Sequence, residues 1–286
     1  MRTGRDLRPP PPRKKQKMEN TKVLYVSQEI DPYLPASEIS KWSRILAQGV
    51  VESGREIRTF MPRFGSVNER RNQLHEVIRL SGQNIVIDDT DHPILIKVAS
   101  IQAARMQIYF IDNEDFFLRK GVTKDPETGK EFDDNDERAI FFARGVWETT
   151  KKLRWMPDVI HLHGWFTMMM PIYLKLLRKQ DPYFANAKVV VSLYDEAWEG
   201  QWENENDKIW MEGVDKKELK KINVTDYTSL MKTAIDLADG ITVCSPSAPP
   251  ELVEYAKASG KPMLDYIGET PDIAAHNEFY DQVKAM

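Results

Sequence analysis

Two histidines one residue apart, His161 and His163, are the side chains in this sequence best suited to chemistry. They lie in Asp158-Val-Ile-His-Leu-His163, an apolar run that predicts a strand, and on a strand residues two apart share a face. An imidazole donates or accepts a proton near neutral pH, and either ring can hydrogen-bond a sugar hydroxyl. The same spacing also suits two satisfied polar groups in a strand-end turn. A zinc site needs more ligands than a lone His-x-His supplies, and the single cysteine, Cys244, provides no thiolate cluster. No metal is expected.

Other candidates are less specific. Ser245-Pro246-Ser247 offers a hydroxyl and backbone N–H groups at a predicted helix start, a setting for phosphate binding or for ordinary capping. Trp198 and Trp202 stand four residues apart, so on a helix they would stack on sugar rings or form one buried stripe. Met168-Met169-Met170 suits core packing. Carboxylates pair at Asp133-Asp134, Asp136-Glu137 and Asp195-Glu196, none with a spacing that picks out a glycosidase pair. Neither familiar Gly-rich phosphate loop occurs.

The elements that must position these residues alternate between strand and helix. Residues 22–27 predict a first strand, followed by a loop over 29–35. Ser37 is a helix N-cap, and Ile39, Trp42, Ile45, Leu46 and Val50 recur at helical spacing until Gly54. Residues 57–61 complete a β-α-β opening, the unit of parallel sheets. Extended segments at 74–80, 85–87, 93–101 and 106–111 form an antiparallel insertion or sheet edge, and 119–135 an exposed loop. Helices are predicted at 135–153, 166–179, 227–237 and 247–258, and strands at 158–163, 188–193 and 240–244. Residues 195–222 are acidic and Trp-rich. The whole predicts an α/β, Rossmann-like, doubly wound, mainly parallel sheet, with ligands beyond the carboxyl ends of its strands.

Composition narrows the function classes. The 286 residues contain 41 % hydrophobic and 29 % charged residues, as in soluble domains, and the longest apolar stretch, 165–177, is broken by Pro171 and Lys175. Residues 1–17 hold seven Lys/Arg and one Asp, leaving 33 basic and 43 acidic residues elsewhere, a net of −10. An acidic body argues against nucleic acid as a partner. The tail, residues 1–20, with Pro9 to Pro12 and Arg13-Lys14-Lys15-Gln16-Lys17, predicts a disordered segment, and Met18 a natural start; residues 21–286 then form a single domain. With no apolar run behind the basic N-terminus and one cysteine, a cytoplasmic setting is expected, without a membrane.

Three stretches resemble a known family: Val23-Leu-Tyr-Val-Ser-Gln-Glu-Ile-Asp-Pro32, Asp158 to Trp165, and Asp236-Leu-Ala-Asp-Gly-Ile-Thr-Val-Cys-Ser-Pro246. In this order they resemble the N-terminal domain of glycogen and starch synthases, most of all short chains of the Bacteroidetes type. The resemblance implies one half of a GT-B fold, in which two Rossmann-like domains face across a cleft. It implies glucose transfer from ADP-glucose or UDP-glucose to the 4-hydroxyl of an α-1,4-glucan, retaining configuration, without a cofactor. By the same resemblance His163 with His161 would contact the donor glucose, Glu29 and Trp165 would line the cleft, and Tyr194, Asp195 and Ser245 would border the substrate.

Departures from the family pattern qualify this. Its Lys-x-Gly-Gly loop aligns with Pro35-Ala36-Ser37-Glu38, so Glu38 sits where phosphates should approach. His-x-His-Asp-Trp becomes His161-Leu-His163-Gly164-Trp165, and the strand-end His-Asn becomes Tyr194-Asp195. A complete synthase is roughly twice this length, as two domains of ordinary size require. The expectation is therefore a chain with little activity alone. Two alternatives stand beside it: a non-catalytic α-glucan-binding or regulatory module, or one half of a split synthase, with a separate C-terminal half or a full-length synthase as partner.

Overall fold

The computed structural model of the chain describes residues 21–177, 181–212 and 214–286. The predicted tail, residues 1–20 with Met18, lies outside them. In chain order the strands are β1 (Lys22–Ser27), β2 (Glu56–Pro62), β3 (His75–Glu76), β4 (Asn84–Ile87), β5 (Thr90–Pro93), β6 (Leu95–Ile101), β7 (Met106–Asp112), β8 (Val159–His163), β9 (Lys188–Leu193), β10 (Gly240–Val243) and β11 (Met263–Leu264). The helices are α1 (Glu38–Glu52), α2 (Glu114–Phe117), α3 (Asn135–Lys152), α4 (Glu205–Ile209), α5 (Lys216–Leu219), α6 (Tyr227–Leu237), α7 (Pro250–Ala258) and α8 (Ile273–Lys284). None is long and apolar enough to cross a membrane among the described residues.

Nine strands join in one sheet of order β11-β10-β9-β8-β1-β2-β7-β6-β3 among these residues. The pairs from β11 to β7 are parallel, whereas β7–β6 and β6–β3 are antiparallel. The predicted mixed edge is therefore present, though its outermost strand keeps only two residues of the expected 74–80. From β1 the chain winds through β2 to β7 on one side, then returns to β8 and winds the other way through β9 and β10. The direction reverses between β1 and β8, and there the loops after adjacent strands diverge and open a crevice.

Local chemistry explains the helix placements. Ser37 caps α1: its side chain accepts from Ser40 N–H, and Ser40 returns the bond to the cap backbone. Ile39, Trp42, Leu46 and Val50 are buried as the spacing predicts, but Ile45 lies off that stripe and is 41 % exposed. The predicted helix at 166–179 is replaced by a short 3-10 turn, Trp165–Thr167, and a π-helical turn, Ile172–Leu177, with residues 178–180 outside the described set. Pro171, which donates no backbone hydrogen bond, sits at the break. The helix predicted from Ser247 starts at Pro250, because Pro249 and Pro250 supply the fixed backbone angle of a helix entry instead.

The last helix, α8, was not among the predicted elements. It packs on α1 and covers the face of the sheet that carries His161 and His163. Gly240 lets it come close: a Cβ there would lie 2.9 Å from both the Phe279 ring and Val283. Gly49 on α1 similarly makes room for Ile273. At its far end Asp281 receives a two-pronged bond from Arg55, and Lys284 pairs with Asp158 at 3.0 Å. Phe279→Ala should lower the unfolding free energy by about 3–5 kcal/mol, the range for emptying a buried aromatic site. Ile78→Ala, at a residue 83 % exposed, should change it by less than about 0.5 kcal/mol, both variants being measured by urea unfolding.

Candidate functional site

Register builds a polar ladder within the buried sheet. Tyr25 stands opposite His161 and Ser27 opposite His163 across β1–β8, while Ser192 stands opposite Thr242 across β9–β10. All are buried, and both histidines have no exposure at all. His161 Nε2 is hydrogen-bonded to Ser192 Oγ at 2.8 Å, which reaches Thr242 Oγ1 at 3.0 Å. Its Nδ1 meets the Tyr280 hydroxyl at 2.7 Å, and that hydroxyl meets Tyr25 at 2.9 Å. His163 Nδ1 is bonded to the Tyr194 hydroxyl at 2.7 Å, while its Nε2 is buried without a partner.

Desolvation sets the protonation states here, because burial disfavours the charged form. It holds His161 well below the usual imidazole range, pushes His163 down to about 3, and also lowers His276 on α8, which packs against Trp42 and His161. The Cys244 thiol, fully buried, is pushed up to about 11. These are neutral groups at physiological pH. No cluster of three or more His, Cys, Asp or Glu suited to a metal occurs among the described residues.

The crevice between β1 and β8 carries the other predicted residues. Gln28 N–H donates to the His163 carbonyl at 2.8 Å, and Phe166 N–H donates back to Gln28 Oε1 at 3.2 Å, tying the two strand ends together. Gly164 has φ +87, and a Cβ on it would lie 2.7 Å from Gln28. An L side chain such as that of Asp would be strained there. Glu29 accepts from the Ser37 hydroxyl at 2.6 Å, so the α1 cap and the crevice carboxylate are one unit. Asp195 is exposed at the rim, whereas Tyr194 is only 1 % exposed and serves His163. Ser245 is buried, and its hydroxyl accepts from Ser247 N–H at 3.2 Å within a turn. It does not stand at a helix start, so the predicted phosphate setting is not formed.

The tryptophans gather beside this crevice, though not on a helix. Residues 194–203 are irregular, with Gly200 at φ +111. Trp198 and Trp202 stack on each other at 4.4 Å and 19°, and Trp165 meets them at 5.7 and 5.9 Å. A cavity of about 360 Å³ opens here, lined by Trp198, Trp202, Phe132, Asp136, Glu199 and Lys208, among others. A larger one, about 720 Å³, lies by Val86 and Trp210 and shares none of these residues. The smaller cavity adjoins the strand ends, and its indoles and carboxylates together match the apolar faces and hydroxyls of sugar rings.

Sequence reasoning missed several groups. Tyr280 and His276 belong to α8, whose spacing of Ile273, His276, Tyr280 and Val283 was a readable helical stripe. Glu196 appeared only as one of several acidic pairs. Its carboxylate is buried and is pushed up to about 8 by burial, opposed by a hydrogen bond from the Trp165 backbone N–H and reinforced by the charge of Glu29. Glu205, beside Asp136, is pushed up to about 9 by burial and by that neighbouring charge.

Fold and site define a Rossmann-like α/β domain with a polar, aromatic crevice at the strand-order reversal. A family model of the starch synthase catalytic domain matches residues 22–265, and the chain belongs to that family. The glycogen synthase of Chlorobium limicola is 35 % identical over 176 residues, 62 % of this chain and 36 % of the relative. That of Chlorobium phaeovibrioides is 30 % identical over 262 residues, 87 % of this chain and 50 % of the relative. Among solved structures, the catalytic domain of starch synthase IV from Arabidopsis thaliana bound to ADP and acarbose superposes with a TM-score of 0.67. It is 16 % identical and the match covers 87 % of this chain and 51 % of that one. The chain spans about half the length, or less, of the curated relatives it matches.

The buried titrating groups make stability depend on pH in two opposing senses. His161, His163 and His276 have folded values below the ordinary 6.5, so their contribution is complete above that pH and falls as pH drops toward the folded values. Glu196 and Glu205 have folded values of about 8 and 9, so they destabilise increasingly as pH rises from about 4.5 to those values. Each group contributes a slope of about 1.4 kcal/mol per pH unit at most. The carboxyls act from about pH 4.5 upward, and the imidazoles only below about 6.5, in the opposite sense. Urea unfolding between pH 7 and 9 should show stability declining with pH, and Glu196→Gln should make that decline shallower up to about pH 8.

Proposed function

We propose that residues 21–286 act as the acceptor-side domain of glucosyl transfer of the glycogen and starch synthase type. In this reading the strand-end crevice holds α-1,4-glucan, and the donor is ADP-glucose or UDP-glucose. The observation that carries it is the Trp165–Trp198–Trp202 cluster beside the 360 Å³ cavity. Indole faces stack on the apolar faces of glucose rings, while Glu199 and Asp136 accept from hydroxyls. Support also comes from the Arabidopsis neighbour, whose catalytic domain is bound to ADP and acarbose. Glu29, Trp165 and Asp195 border the substrate in this reading, while Tyr194, Ser245, His163 and His161 lie buried behind the crevice and support it from within. We place the activity in the cytoplasm, a setting supported by the single, reduced and buried Cys244.

One observation favours a binding role for these 286 residues over turnover by them alone. His161 and His163 have no exposed surface, and Tyr194 holds Nδ1 of His163. Glu38, exposed at the start of α1, puts negative charge where the family pattern has a glycine, and Pro35 stands in place of its lysine. Transfer needs both substrates fixed in reacting geometry. A second Rossmann-like chain or a full-length synthase is the partner this reading calls for.

The test combines binding and turnover. Maltoheptaose should bind the purified chain, and Trp202→Ala should weaken it by about tenfold, the scale of one lost stacking contact, with unfolding curves checking the fold. Labelled ADP-glucose or UDP-glucose with glycogen should leave no label in precipitated polymer until source-cell extract is added. Incorporation by the chain alone, abolished in His163→Ala, would instead make these residues a complete transferase. Failure of any maltooligosaccharide to bind would remove the glucan reading.

A further inference from the structure

The cavity of about 720 Å³ stands apart from the crevice, between the β4–β5 hairpin and the stretch from α4 to α5. Its floor is apolar, formed by Trp210, Met211 and Val86, which is 46 % exposed. The Trp210 indole N–H is taken by the Val214 carbonyl at 3.1 Å, so what the ring offers a ligand is its face. Lys216 Nζ lies 5.3 Å from the ring centroid, a cation held over an indole. The rim is acidic. Asp88 and Asp89 form the hairpin turn, Asp207 belongs to α4, and all three are exposed; Glu212 also lines the cavity. Arg144, the other lining cation, is buried and donates to the Val86 carbonyl.

An aromatic floor with a carboxylate rim fits one kind of peptide. Proline-rich segments dock in aromatic grooves because their extended helix is preformed and loses little entropy on binding. Flanking Lys and Arg then meet the carboxylates. This chain carries such a segment: Arg8 to Lys17 holds the run Pro9 to Pro12 and five Lys/Arg, without a carboxylate. Its attachment point is suitably placed. Lys22 N–H donates to the Asp158 carboxylate at 2.8 Å, at the end of the sheet where α3 terminates. From Lys152 at that end, Arg144 and the cavity lie about 12 Å back along α3. Residues 13–21 reach roughly 30 Å when extended. The smaller tryptophan cavity also has carboxylates, but it lies at the opposite ends of the strands.

We propose that this groove is the docking site of residues 8–17 of the same chain, an interaction surface independent of the glucan reading. The proline run packs on Trp210 and Met211, while Arg13, Lys14 and Lys15 face Asp88, Asp89 and Asp207. Exposed ion pairs are screened by salt, so the docking weakens as ionic strength rises. A chain begun at Met18 would keep the groove and lack its occupant.

The test uses the full chain with one cysteine placed in the segment and one in the body, since the native Cys244 is buried. Gln16→Cys with Asn84→Cys leaves every charge in place, and Asn84 is exposed in the cavity lining. Under oxidised glutathione this pair should close an intrachain disulfide about tenfold faster than Gln16→Cys with Ile78→Cys. Ile78 is exposed and precedes the same hairpin, so the second pair measures tethering alone. Trp210→Ala should cut the advantage severalfold, and so should about 0.5 M salt, which needs no variant. Asp88→Asn with Asp89→Asn should do the same while keeping the turn, because Asn accepts their positive φ. Equal rates for both pairs overturn the proposal, as does an advantage indifferent to salt and to the Asp88 and Asp89 changes. Faster closure of Gln16→Cys with Glu199→Cys would place the segment at the crevice, and crosslinks between chains would place it on a second copy. Either result overturns docking within one chain at this groove.

Discussion

The Tyr280 hydroxyl joins Tyr25 and His161 in a layer without solvent exposure, and much of the structure depends on that junction. A parallel sheet covered on both faces ordinarily carries aliphatic residues, because each buried polar group must find a partner. Here β1, β8, β9 and β10 bring Tyr25, His161, His163, Ser192 and Thr242 to one face. The strands satisfy most of this ladder among themselves, but His161 Nδ1 and the Tyr25 hydroxyl need a partner from above. Helix α8 supplies it, and its placement follows: Gly240 and Gly49 admit Phe279 and Ile273, while Arg55 and Asp158 fix the lower end. A buried polar network of this kind specifies one arrangement, since a shifted helix would strand several groups at once.

The same network determines what the strand ends can do. His163 is the last residue of β8 and lies at the crevice, yet Tyr194 and the stacked Tyr25 ring enclose it. Neutral, enclosed imidazoles serve as fixed hydrogen-bonding groups and not as proton shuttles in solution. The groups that gather at the crevice are Glu29 held by Ser37, Trp165 next to Gly164, and the Trp198–Trp202 stack. These come from the loops after β1, β8 and β9, the strands at and beside the reversal of order, so topology and chemistry select the same spot.

Much of this was legible in the sequence where periodicity carries the signal. The alternation of β1, α1 and β2, the shared face of His161 and His163, and the Ser37 cap followed from spacing and residue type alone. What was not legible depended on distant partners. The tryptophans at 198 and 202 suit a helical stripe by spacing, but Gly200 between them takes a left-handed conformation and tertiary contacts with Trp165 decide their geometry. Ser245 has the residue type of a phosphate ligand, yet two prolines farther on set the helix start and its hydroxyl closes a local turn. Glu196 could not be told from other surface acids, because only the fold shows that Trp165 and Tyr227 enclose its carboxylate while its neighbour Asp195 stays in water.

Charge completes the physical picture of the crevice. Glu29, Glu38, Asp195, Glu199 and Glu203 surround it, and among the described residues lining its cavity the cation is Lys208, already paired with Asp136 and Glu137. A diphosphate would meet repulsion on such a rim, since phosphate recognition rests on paired cations or free backbone N–H groups. Neutral polyhydroxyl ligands meet the opposite situation: carboxylates are their strongest acceptors, and indole faces add contact area without charge. The acidic residues Glu38 and Glu199 at this rim therefore act in one direction: they disfavour an anionic ligand and leave neutral hydroxyl groups as the better-matched partners.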